Sequence, residues 1–247
     1  MEKILYLFIS LLISKGFAQI PNNAVPSNIR AANTLDQLSA GDIRPADLIY
    51  GIPIPPGEII GDVYQDQEWR KTAVLLYSQS KLIEGYRCRY NILSNQIEIQ
   101  TGSGERAIEG SKVKSFVWID PKDDSPLFFV NAQDFKVNGH PQSGFLQVLS
   151  DGRLPLFKKT SIFIREPDYK PEFSMGSRDT RLIKREQLYY SRNDELFSLN
   201  TKNKRKFIDG FGELSTEIDS FINVNELKIS NEDHVILIFE FFNKDMR

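Results

Sequence analysis

Between Trp69 and Leu199 the chain is a succession of short β-branched and aromatic runs. They read "KTAVLLYS", "KLIEGYRCRYNIL", "QIEIQ", "VKSFVWI", "PLFFV", "GFLQVL" and "LPLFKK", and each is cut off by Gly, Asn, Asp, Ser or Pro. Runs of this length, spaced this closely, form strands joined by tight connections, so the pattern predicts an antiparallel β-meander. "SDGR" at Ser150–Arg153 carries an Asp-Gly hairpin signal, and "YYSRNDELFSL" at Tyr189–Leu199 reads as another hairpin. After Thr201 the period lengthens. Leu214, Ile218, Phe221 and Ile222 fall at helical spacing, as do Val235, Ile238, Phe239 and Phe242. Gly210 and Gly212 are placed to stop a short helix starting near Lys202. Ser230 with Asp233 resembles a capping box for the last helix. The expected fold is α+β: an antiparallel β-meander, as a curved sheet or sandwich-like pair, followed by two to three C-terminal helices.

The N-terminus has a different grammar. Lys3 precedes the apolar run Ile4–Ile13, and small residues follow at Gly16 and Ala18. That is the plan of a secretory signal peptide, with cleavage expected between Ala18 and Gln19. The run is shorter than the ~20 residues that span a bilayer, so no transmembrane span is expected in the mature chain. Residues 19–60 hold six prolines, including "GIPIPPGE" at Gly51–Glu58. Proline removes backbone donors and favours extended neighbours, so an extended arm is expected, with a short helix near Ala31–Ser39. The organisation read from sequence is therefore a leader at 1–18, an arm at 19–60, a β-rich body at 61–200 and a helical segment at 201–247 packed on that body.

Export changes how the cysteine count reads. Exported domains often rely on paired cysteines, yet this chain has one, Cys88. No internal disulfide can form, so stability must come from core burial. A 40% hydrophobic content with 17 Phe is consistent with that. The net charge of -2 lacks the basic excess of a general nucleic-acid binder, and no nucleic-acid partner is expected.

Cys88 stands in "EGYRCRYNILSNQIEIQ" between Arg87 and Arg89. With Ser94-Asn95 as a two-residue turn, Ile92 faces Ile97, Tyr90 faces Ile99, and Glu98 lies opposite Asn91. Alternation then puts Leu82, Tyr86, Cys88, Tyr90 and Ile92 on an apolar face. A buried thiol is inert, and a nucleophile would want a histidine base, so Cys88 reads as a packing residue. Arg87, Arg89, Asn91 and Glu98 fall together on the other face. They form a candidate polar patch that is either solvated or braces a neighbouring element, and cross-strand pairing favours bracing.

The remaining candidates carry little chemistry. His140 lies in a Gly/Pro loop and His234 in the first turn of the last helix, without metal-ligand spacing. "DPKDDSP" at Asp120–Pro126 lacks the calcium-loop pattern and reads as a solvated turn. "KNKRK" at Lys202–Lys206 reads as a solvated face. No nucleophile elbow, phosphate loop or dinucleotide fingerprint is present. No catalytic residue, cofactor or metal ligand is assigned.

The segments "IIGDVY", "GYRCRYNILSNQIEIQ", "GFLQVLSDGRLPLFKK" and "LYYSRNDELFSLNTKNKRKFIDGF" together resemble an uncharacterised family of exported Bacteroidota proteins. "RYN" at Arg89–Asn91 followed by "IE" at Ile97–Glu98 carries most of the likeness, which runs from Ile59 to the C-terminus. The leader ending "FAQ" is similar to leaders of that phylum. The resemblance implies export, to the periplasm, the outer membrane or the medium, and assigns no activity. The first expectation is a non-enzymatic envelope protein, a binding or structural module with envelope proteins as partners. The alternatives are a lipid or small-molecule binding half-barrel, with "VKSFVWI" and "PLFFV" lining a cavity, and an envelope or extracellular hydrolase of unknown substrate.

Overall fold

The computed structural model describes residues 57–78, 81–119, 124–170 and 173–244. The expected leader with its Ala18/Gln19 cut site, nearly all of the expected arm with the short helix read near Ala31–Ser39, and Asp120–Asp123 of the acidic turn lie outside the described residues. The chain divides into two compact units. In the smaller one, the Lys170 N–H donates to the Met175 carbonyl at 2.8 Å. Everything below concerns the larger unit, residues 56–169 and 176–247.

A sheet of 13 strands forms the body. The strands are β1 (Ile59–Ile60), β2 (Arg70–Leu76), β3 (Leu82–Asn91), β4 (Gln96–Thr101), β5 (Gly104–Glu109), β6 (Val113–Ile119), β7 (Pro126–Asn131), β8 (Lys136–Val137), β9 (His140–Pro141), β10 (Phe145–Ser150), β11 (Leu156–Arg165), β12 (Thr180–Arg192) and β13 (Glu195–Ser198). Their order is β5-β4-β3-β2-β6-β7-β10-β11-β12-β13-β8-β9, with β1 added to β12. Three helices follow: α1 (Lys204–Asp209), α2 (Ser215–Val224) and α3 (Glu232–Lys244). The α+β expectation holds in this form, an antiparallel-rich open sheet followed by C-terminal helices.

The meander is not continuous. From β2 the chain runs out to β5, then returns to set β6 against the other side of β2. Asn131 fixes this return. Its buried amide donates to the Gly110 and Val113 carbonyls at 2.8 and 2.6 Å, and its Oδ1 accepts from the Gln133 N–H. Two pairings are parallel, β1 with β12 and β13 with β8.

The β3–β4 register differs from the sequence expectation. Cys88 pairs with Ile99, Arg89 with Glu98, Tyr90 with Ile97 and Asn91 with Gln96. The connection spans Ile92–Asn95 rather than two residues, with the Asn91 Oδ1 accepting from the Ser94 N–H. Each partner is therefore displaced by two residues, which leaves Cys88 and Tyr90 on the core face and Arg89 and Asn91 on the other. The alternation breaks only at Gly85. Its φ of +83° accompanies a shift in the β2–β3 register. Past that bulge Ile83 turns to the core and Leu82 to solvent.

The β10–β11 connection is also longer than a two-residue turn, running Asp151–Pro155. It is clamped from α3. Asn243 accepts from the Leu154 N–H and donates to the Leu154 carbonyl and the Ser150 hydroxyl. A Cβ on Gly152 would lie 2.6 Å from the Asn243 side chain, and its φ is +143°, so glycine is required there. The cap of α3 is Asn231 rather than Ser230. Its Oδ1 accepts from the Asp233 N–H at 2.9 Å.

The sheet curls, bringing Tyr90 of β3 edge-on to Phe145 of β10 at 5.1 Å. Its inner face near β2–β7 is filled by Val74, Cys88, Tyr90, Phe116, Trp118, Phe129 and neighbours. Farther along the sheet, Leu156 packs with Phe207, Ile218, Ile222, Ile238 and Phe239 of the helices. Ala132, Leu146, Phe157 and Leu196 form a smaller cluster. The chain before β2 spans the seam left by the curl. Asp62 pairs with Lys184 of β12 at 2.9 Å, the Gln65 side chain reaches Thr160 of β11, and Val63–Gln65 bond the backbone of Tyr90 and Ile92.

Candidate binding groove

Cys88 is fully buried. Burial pushes its thiol up to about 11, against a small opposing effect of a bond to Thr72. A thiol with so little thiolate at neutral pH is a packing group, not a nucleophile.

Of the four patch residues, the structure joins Arg89 and Glu98 and leaves the other two apart. The Arg89 Nε donates to Glu98 Oε2 at 2.7 Å, and its Nη2 lies 3.7 Å from Glu105. The guanidinium also lies 4.2 Å from the centre of the Tyr64 ring and 4.3 Å from that of Trp69. Burial alone would lower the Arg89 pKa, but the Glu98 bond and charge outweigh it and hold it above the ordinary value. Tyr64 is raised, first by burial and then by the Glu98 carboxylate. This is the bracing geometry. It ties the seam segment and the start of β2 to β3 and β4. Arg87 instead lies over Lys71 in the β2–β3 ladder, and Asn91 is spent on its own turn.

The same outer face is apolar farther along. Val117 of β6 pairs with Phe128 of β7, and Phe128 with Val148 of β10, which pairs with Phe157 of β11. These side chains floor an open groove of about 620 Å³, with Phe135 packed edge-on to Phe157 at one end. Phe128 remains 49% exposed, so the floor faces solvent. Asp151, Arg153, Ser191, Asn193 and Asp194 make the rim. A second recess of about 410 Å³ shares Val117 and reaches Lys71, Tyr86 and Arg87. Apolar surface thus runs from β10 to β2, where Arg87 and Lys71 begin its charged margin.

Sequence reasoning missed the groove, yet a signal was there. "SFVWI" and "LFFV" are apolar at consecutive positions, not alternate ones, so both faces of β6 and β7 must be apolar. One set, Phe116, Trp118 and Phe129, fills the core; the other, Val117 and Phe128, floors the groove. The expected cavity lining is therefore divided between a solid interior and an open outer surface.

The histidines serve local structure or solvent. His234 Nδ1 accepts from the Lys228 N–H at 2.9 Å, and His140 is exposed on β9. Asn203, within "KNKRK", caps α1 by accepting from the Lys206 N–H. Among the described residues no three His, Cys, Asp or Glu gather at metal-binding distance. Among them, too, no helix is long and apolar enough to cross a membrane. No family model, curated protein or solved structure matches this chain.

Proposed function

We propose that this chain is an exported, non-enzymatic binding module of the cell envelope, and that the Val117–Phe128–Val148 groove is its contact surface for an envelope protein. The observation that carries this reading is the exposed apolar floor. Strands that already fill a complete core on one face hold Phe128 half-exposed on the other, where burial by a partner would be favourable. The leader plan and the resemblance to exported Bacteroidota proteins support the export part. The test replaces Phe128 with a photo-crosslinking amino acid in living cells, then fractionates them. An envelope-protein adduct lost on Val148→Asp is the expected result. A chain retained in the cytoplasm, or no adduct at all, overturns the reading.

A second reading, a carrier of a small apolar molecule, is favoured by the groove's volume. Sites for such ligands occupy ~300–1,000 Å³, and this one is about 620 Å³. A lipid adduct at Phe128 with no protein adduct, and a matching mass in native mass spectrometry, would select it.

A further inference from the structure

β11 and β12 pair over ten residues, from Leu156↔Tyr190 to Arg165↔Arg181. Their distal half is a ribbon with unlike faces, joined at its end by β1 beside Thr180 and Arg181. One face holds Thr160, Ile162, Leu182 and Lys184 and is crossed by the seam segment, through the Gln65–Thr160 and Asp62–Lys184 contacts. On the other, every position from Ser161 to Arg165 and from Arg181 to Gln187 is exposed: Ser161, Phe163, Arg165, Arg181, Ile183, Arg185 and Gln187. Alternation places no acidic side chain among them. In a chain whose net charge is -2, three arginines on one acid-free strip are a local reversal of sign. Phe163 and Ile183 sit between them as a directly opposed pair, 42% and 38% exposed.

The arginines are held in different ways. Arg165 reaches Asp168 at 3.2 Å. The Arg185 guanidinium rests 3.7 Å from the centre of the Phe163 ring. Among the described residues, neither Arg181 nor Arg185 pairs with a carboxylate.

We infer that this face of the β11–β12 ribbon lies against an anionic lipid surface, with Arg181 and Arg185 on headgroup phosphates and Phe163 and Ile183 at the acyl boundary. Three features select lipid over an acidic protein. The strip is a ladder of exposed strand positions. Its apolar pair is at the centre of the cations, the order in which apolar body and charged fringe meet a bilayer. Among the described residues Arg181 and Arg185 pair with no carboxylate, so they can follow mobile headgroups.

The test is co-sedimentation of the full chain with phosphatidylcholine vesicles, alone or mixed with phosphatidylglycerol. A basic residue near an anionic surface contributes ~1 kcal/mol, about fivefold in partitioning. The double variant Arg181→Gln/Arg185→Gln should therefore bind anionic vesicles about twenty-five-fold more weakly. Added salt should weaken the wild type and narrow that difference. Arg106→Gln/Lys114→Gln, with the same loss of charge elsewhere, should leave binding unchanged. The leader is common to all forms, and the phosphatidylcholine arm measures what it contributes. Equal loss in both double variants, equal binding by the ribbon variant, or binding to soluble dextran sulfate but not to vesicles overturns the inference. Unchanged circular-dichroism melting establishes that each variant is folded.

Discussion

At the scale of single residues, Arg89 has the most distinctive environment in the described chain. One guanidinium satisfies Glu98, approaches Glu105 and contacts two aromatic rings. A lysine could supply the charge but not a planar group able to meet both rings and a carboxylate together. Truncation would leave Glu98, only 17% exposed, without its cation. Arg89→Ala should cost about 2 kcal/mol, below the figure for a fully buried pair. Arg89→Lys should recover less than half of that. In a double-mutant cycle with Glu98→Gln, urea denaturation should yield a coupling above ~1 kcal/mol. Additive costs would mean that the two groups merely share a surface. Their shared face was legible in the sequence because charge alternates with apolar residues across β3, while the direct pairing was not, because the expected register set Glu98 opposite Asn91. Nor were Tyr64 and Trp69, because they lie in the irregular segment before β2, which has no period to place them.

At the scale of elements, hydrophobic period fixed faces well and registers less well. The β3–β4 pairing is displaced by two residues from expectation, yet each face is right, because strand period is two and the error was even. Gly85 defeated the pattern locally, since a bulge inverts parity without changing composition. The return from β5 to β6 was also hidden, because a buried side-chain amide decides it rather than any periodic signal. That makes Asn131 a clear test of element order. Its amide serves two backbone carbonyls and its oxygen one backbone N–H, inside a site only 2% exposed. Asn131→Leu should cost about 3 kcal/mol, because it leaves backbone groups buried without partners. Asn131→Asp should be no better, since a carboxylate cannot donate to the Gly110 and Val113 carbonyls. Urea midpoints for the two variants, with an unchanged slope, would check this. A shift under ~1 kcal/mol for either would mean that water takes over the bonds.

At the scale of the larger unit, the core needs no crosslink because the curled sheet wraps aromatic side chains from four strands around one centre. That centre also contains groups that can ionise only at high pH. Burial raises the Cys88 thiol from its ordinary 9.0 to about 11, and it raises the Tyr90 phenol as well. Outside that centre, the 36% exposed Tyr77 is pushed to about 12, by burial first and then by its bond to Asp134. All three are neutral when protonated and hold their protons longer in the folded state. At neutral pH they are protonated in both states and pH does not act through them. Above about pH 9 the unfolded thiol ionises, followed by the unfolded phenols near 10, while the folded groups resist. The unfolded state then binds fewer protons than the native state, so stability falls with rising pH. The urea midpoint should be level from about pH 7 to 8.5 and decline steadily from about pH 9 to 11. Cys88→Ser removes the earliest of the three titrations. It should lower the midpoint at neutral pH through lost packing, while delaying the onset of the decline by about one pH unit. A wild-type midpoint that stays level to about pH 11 would show that the thiol and Tyr90 phenol titrate as freely in the folded core as in the unfolded chain.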